Sequence, residues 1–144
     1  MAERSERGRR LLSQLAPILW IGVIFGFSLS SDPGGDLPEW LTVIASPVAH
    51  FLEFFVLGVL LFIGRSEGSD RQRFFIAGMA IAIADEWLQS FVPGRVTDVL
   101  DVVVDGFGLW VGILLAPRVL RLRALLNYGV FVAFFLSALR VFFG

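Results

Sequence analysis

The chain has no cysteine among its 144 residues. That excludes a disulfide framework, a thiol nucleophile and a thiolate metal site. Lysine is missing too, so all twelve basic residues are arginine, and the net charge is only −1. No internal repeat or low-complexity tract interrupts the sequence, and no polar stretch is long enough for a separate soluble domain. What fills the chain is apolar: 56 % of residues are hydrophobic, with a mean hydropathy of +0.78, against about 45–50 % apolar in a soluble domain. The expected fold is all-α: a single polytopic transmembrane helical bundle over residues 1–144, with four to five spans, five favoured.

A crossing needs roughly 20 mostly apolar residues. Five stretches have that length: Leu11–Leu29, Pro47–Ile63, Phe74–Val92, Val99–Ala116 and Leu125–Phe143. The third and fourth carry acids. Ser28-Leu29-Ser30 has the small-x-small form of a cleavage site, yet the apolar run before it exceeds the usual core of about 7–15 residues, so it reads as a retained span. The segment Asp32–Glu39 reads as an acidic outer loop.

The loops alternate in charge. Arg4, Arg7, Arg9 and Arg10 precede the first span. Arg65, Arg71 and Arg73 follow the second, and Arg118, Arg121 and Arg123 follow the fourth. The opposite side holds Arg95 and Arg140. The positive-inside rule places the arginine-rich side, with the N-terminus, in the cytoplasm.

Between Asp85 and Leu115 lie five carboxylates: Asp85, Glu86, Asp98, Asp101 and Asp105. An Asp at mid-membrane costs at least about 2.5–3.5 kcal/mol, so a chain that keeps several must be using them. From helical rise, Asp85, Glu86 and Gln89 lie roughly 16–23 Å along the third span, in its outer half. Pro93-Gly94 breaks that helix. Asp98, Asp101 and Asp105 fall at i, i+3 and i+7, within about 60° on one face. His50 and Glu53 are expected in the first turns of the second span, after Pro47. The polar residues therefore gather at the outer ends of three helices, while the cytoplasmic halves hold nothing comparable. That asymmetry argues against a proton relay through the whole membrane. The excess of acids over His50 and Arg95 calls for protonation or a cation among them.

Several parts of this pattern resemble the VanZ-like family of small bacterial membrane proteins, whose founding member is associated with teicoplanin resistance. They are Phe27-Ser28-Leu29-Ser30-Ser31 at the first exit, His50-Phe51 with Glu53 and Leu57-Gly58, Asp85-Glu86 with Gln89, and Phe91-Val92-Pro93-Gly94-Arg95. Asp101, Asp105, Gly108 and Gly112 complete it. The family commonly has a lysine shortly before the His. Here Ser46-Pro47-Val48-Ala49 stands there, and the Asp105 position is often Asn. The resemblance implies a multi-pass protein of the bacterial cytoplasmic membrane, linked to the cell envelope and to glycopeptide antibiotic resistance.

Three functions are open. The first is an enzyme, a metal-assisted hydrolase or transferase on a lipid-linked or cell-wall precursor. His50, Glu53, Asp85, Glu86, Asp101 and Asp105 would be catalytic, and Gln89, Arg95 and Asp98 would bind substrate. Its divalent metal would be held by candidates among Asp85, Glu86, Asp101 and Asp105. Such a cysteine-free set suits Mg²⁺, Mn²⁺ or Ca²⁺, and Zn²⁺ less exclusively. Glu86 or His50 would be the general base, and Arg95 would hold phosphate. The second is a non-catalytic protein that binds a lipid headgroup or glycopeptide. The third is a cation or proton-coupled transporter. Membrane lipids are expected partners, and nucleic acid is not. Each residue also has a plainer reading: Asp98 as an N-cap, Arg95 as a snorkelling turn residue, Asp85-Glu86 as a helix-pinning network, and Gly108 and Gly112 as small residues that let helices approach.

Overall fold

The computed structural model describes residues 2–31, 38–64, 70–95 and 97–122. These form four helices and no strand among the described residues: α1 (Ala2–Ser28), α2 (Glu39–Gly64), α3 (Arg71–Gln89) and α4 (Val99–Leu122). The expected fifth span, Leu125–Phe143, with Arg140, lies outside the described residues, as does most of the Asp32–Glu39 loop. Stretches Leu11–Ser28, Ile44–Gly64 and Val99–Arg118 are long and apolar enough to cross a membrane. Only 22–39 % of each stretch is buried inside the bundle, because Leu15, Ile18, Leu19, Leu52, Val103, Phe107 and their like point outward. Helices apolar all round belong in lipid.

Helix ends follow local chemistry. Asp70 caps α3, its Oδ1 accepting from the Gln72 N–H at 3.0 Å. After Gln89 the chain turns through Val92 N–H to Gln89 O (3.0 Å) and Arg95 N–H to Val92 O (3.2 Å). Gly94 sits there at φ +87°, a left-handed conformation open mainly to glycine. Asp98 starts α4: its Oδ1 accepts from the Leu100 N–H at 2.9 Å.

The second helix corrects one expectation. The second span is expected to begin just after Pro47, whereas α2 begins at Glu39 and runs through Pro47, and its apolar stretch begins at Ile44. A proline removes one N–H, a loss that membrane helices accommodate. His50 and Glu53 therefore sit about 9 and 14 Å inside the apolar stretch that begins at Ile44, rather than in its first turns.

The most extensive helix pairing is α2 with α4. Glycine makes it possible: a Cβ at Gly108 would fall on the Phe51 carbonyl oxygen, one at Gly112 on that of Phe55, and one at Gly58 on that of Leu109. Close approach of this kind replaces the hydrophobic drive that lipid cannot supply between helices. The helix α1 packs on α2 and α3, and α3 packs on α4. The core is Trp20, Ile24, Phe54, Leu57, Phe62, Leu109 and Ile113. Trp20 donates its Nε1–H to the Glu53 carbonyl at 2.9 Å, tying α1 to α2.

Candidate functional site

One end of the bundle gathers the last turns of α1 and α3, the start of α4 and the region of α2 around His50. There the buried polar side chains are Ser28, His50, Asp85, Gln89 and Asp105. Asp85 and Asp105 are fully enclosed, at 0 % exposure each. In a helix, neighbours in sequence point about 100° apart, and that separates Asp85 from Glu86. Asp85 turns inward: its Oδ1 accepts from the Ser28 hydroxyl of α1, and its Oδ2 from Gln89 Nε2, one turn on, at 3.1 Å. Glu86 turns toward the start of α4, where its Oε1 accepts from the Asp98 N–H at 2.6 Å. Its Oε2 is buried with no hydrogen-bond partner.

His50 faces α4. Its Nδ1 stands 3.1 Å from Asp105 Oδ1, with both side chains buried. The second oxygen of Asp105, Oδ2, is buried and has no hydrogen-bond partner. His50, Asp85 and Asp105 each offer one ligand atom within 4.8 Å of the others, from three different helices. Glu53 is half-buried beside them and interacts electrostatically with His50, Asp85, Asp105 and Arg95.

Arg95 closes the cluster at its loop end. Its Nη1 donates to Gln89 Oε1 at 3.3 Å, its Nη2 to the Phe27 carbonyl at 2.9 Å and its Nε to the Ser30 carbonyl at 3.3 Å. A helix ends with unpaired carbonyls and a partial negative charge. The planar guanidinium adds donors to two carbonyls there: that of Phe27, which also accepts from the Ser30 N–H at 3.0 Å, and that of Ser30, just beyond the end of α1. Polar contacts thus run from Arg95 through Gln89 to Asp85 and Ser28.

The sequence-expected residues divide accordingly. His50, Asp85 and Asp105 come together, with Glu53 and Gln89 adjoining and Arg95 above. Glu86 and Asp101 are not among the residues whose ligand atoms converge. Asp101, in the first turn of α4, is half-buried and acts on His50 and Asp105 only through its charge. Asp98 is exposed and caps α4. Ser28 belongs to the cluster but was not expected there as a site residue. The signal for it was its place at the C-terminal end of the first apolar stretch, the end at which the acids gather.

No curated protein and no solved structure matches the chain. The model of the VanZ/LLP1 family matches residues 2–126, which takes in all four helices and every polar residue of the cluster. The chain belongs to the VanZ/LLP1 family.

Proposed function

We propose that this is a multi-pass protein of the bacterial cytoplasmic membrane that binds, and processes, a lipid-linked cell-wall precursor in a polar pocket at the extracytoplasmic side. Five crossings, α3 and the C-terminal stretch included, and a cytoplasmic N-terminus complete this reading, which rests on the arginine asymmetry. The observation that carries it is the run of contacts from Arg95 through Gln89 to Asp85, ending beside the buried His50–Asp105 pair. Interhelical hydrogen bonds in membranes average only about 0.6 kcal/mol. That return is small against several enclosed acids, so packing alone is a poor reason to keep them.

In this reading Arg95 and Gln89 meet the phosphate-bearing headgroup at the loop end. His50, oriented by Asp105, and Glu53 do the proton chemistry. A His fixed by a carboxylate is the usual pairing of base and orienter. The second reading, a binding protein without turnover, is supported by the enclosure of His50 and Asp105.

The experiment is binding and turnover of a labelled polyprenyl-diphosphate-linked precursor by purified protein in nanodiscs. Saturable binding that Asp85→Asn abolishes supports the pocket. A released product makes it an enzyme, and binding without consumption makes it an accessory protein. No binding by the wild type ends the proposal.

A further inference from the structure

We propose that His50, Asp85 and Asp105 form a site for one divalent cation of the Zn²⁺ or Mn²⁺ kind. The inference deepens the reading above, resting on the same pocket: with the ion bound, His50 and Asp105 serve as ligands and Glu53 is the group left for proton chemistry, and the test reads metal rather than lipid.

Four observations carry it. The first is convergence: one ligand atom from each of α2, α3 and α4, all within 4.8 Å of one another. Two ligands on opposite sides of one ion with bonds of about 2.1–2.4 Å are about 4.2–4.8 Å apart, so the three atoms need draw in by at most a few tenths of an ångström to share one ion. The second is spacing. His50 Nδ1 and Asp105 Oδ1 are 3.1 Å apart. Adjacent ligands of an octahedron with bonds of about 2.1 Å are about 3 Å apart, and those of a tetrahedron about 3.4 Å.

The third is an orphaned atom. Asp105 is 0 % exposed, and its Oδ2 has no hydrogen-bond partner. An enclosed acceptor without a hydrogen bond is costly, and more so when charged. A cation bound through both oxygens of Asp105 supplies what Oδ2 lacks. The fourth is charge. Two ionised carboxylates and a neutral imidazole around a divalent ion sum to zero, the one total that a hydrocarbon surround tolerates without penalty.

The surroundings fit a metal site. Ser28 and Gln89 hold the two oxygens of Asp85, and Arg95 holds Gln89. Outer partners of this kind fix the angle of a ligating carboxylate. Each carboxylate oxygen has two acceptor sites, so Asp85 keeps lone pairs for a metal after accepting both bonds. One imidazole and two carboxylates lie between hard and borderline donors, which favours Zn²⁺ or Mn²⁺ over Ca²⁺. Three protein ligands leave a coordination position for water or a substrate oxygen, the pattern of catalytic rather than structural sites.

The test uses full-length protein in nanodiscs, stripped with chelator and titrated with Mn²⁺ followed by electron paramagnetic resonance, and with Zn²⁺ followed by elemental analysis. The expected result is one ion per chain. Affinity should fall at least about tenfold in Asp105→Asn and in His50→Gln. It should be unchanged in Asp70→Asn, an acid at the opposite end of the bundle. No saturable binding by the wild type overturns the site without any variant. Stoichiometric binding that survives both Asp105→Asn and His50→Gln places the ion elsewhere and overturns it too. Precursor binding is read on the same samples, so a metal-binding protein that ignores the precursor separates this inference from the proposed function.

Discussion

Gly108 lets α4 approach α2 until a Cβ on it would fall on the Phe51 carbonyl oxygen, one residue after His50. Because that contact is with backbone, no side-chain rotation can relieve it. The closeness of His50 to Asp105, three residues before Gly108, depends on it. Gly108→Ala should therefore push the helices apart, with a loss on the order of 1–3 kcal/mol from overpacking. Gly112→Ala should behave the same way against Phe55. Gly22→Ala, where a Cβ meets nothing within 4 Å, should be neutral or mildly stabilising, since alanine is the better helix former. Denaturant unfolding in mixed micelles measures all three. Equal stability of Gly108→Ala and Gly22→Ala would contradict the packing.

The pair His50 and Asp105 should be coupled more strongly than the interhelical average of about 0.6 kcal/mol. Both side chains are enclosed, and removing either leaves the other without its partner. A double-mutant cycle of His50→Ala and Asp105→Ala, read as unfolding free energy in micelles, gives the coupling. Additive effects within error would mean that the 3.1 Å contact contributes nothing to the fold.

Much of this arrangement was legible in the sequence. Apolar runs placed α1, α2 and α4, and Asp98 beside Pro93-Gly94 stood where an N-cap was needed. What spacing could not supply was direction across the bundle. Asp85 and Glu86 are adjacent, and nothing local says which faces α1 and which reaches the start of α4. Asp101 and Asp105 share a helix face. Only the starting point of α4 at Val99 puts the first in an outer turn and buries the second. In the sequence Ser28 is only part of the Phe27–Ser31 exit that resembles the family pattern. Here its hydroxyl approaches both the Ile24 carbonyl and Asp85, a long-range contact with no local signal. The Pro47 expectation failed because rules for helix starts in water are relaxed where neighbouring helices and lipid hold the chain.

Arg95→Lys should not rescue Arg95→Ala. One planar fork serves the Phe27 and Ser30 carbonyls and Gln89 Oε1 together. An ammonium is a point charge without that fork. Both variants should show faster hydrogen exchange at the C-terminal turn of α1 than the wild type. Wild-type protection in Arg95→Lys would mean that positive charge alone holds α1.

Asp98→Ala should cost about 1 kcal/mol by exposing the first N–H groups of α4, whereas Asp98→Asn, also a good cap, should cost little. The loss should fall on α4 rather than on the buried trio, because the Asp98 side chain is exposed and accepts from the Leu100 N–H. Metal titration of Asp98→Ala should therefore match the wild type. A shifted affinity would mean that the capped end of α4 helps to position Asp105.

The absence of cysteine makes the topology directly testable, since any introduced thiol is the only one. Ser31 and Thr97 stand at the polar end of the bundle, and Gln72 follows the Asp70 cap at the other end. With the arginine-rich loops in the cytoplasm, Ser31→Cys and Thr97→Cys should react with a membrane-impermeant maleimide in intact spheroplasts. Gln72→Cys should react only after the membrane is opened. Labelling of Gln72→Cys from outside would invert the molecule and put the His50–Asp105 pair on the cytoplasmic side. A pocket there could not meet a precursor presented at the outer leaflet, so this result alone would overturn the proposed function while leaving the metal site standing.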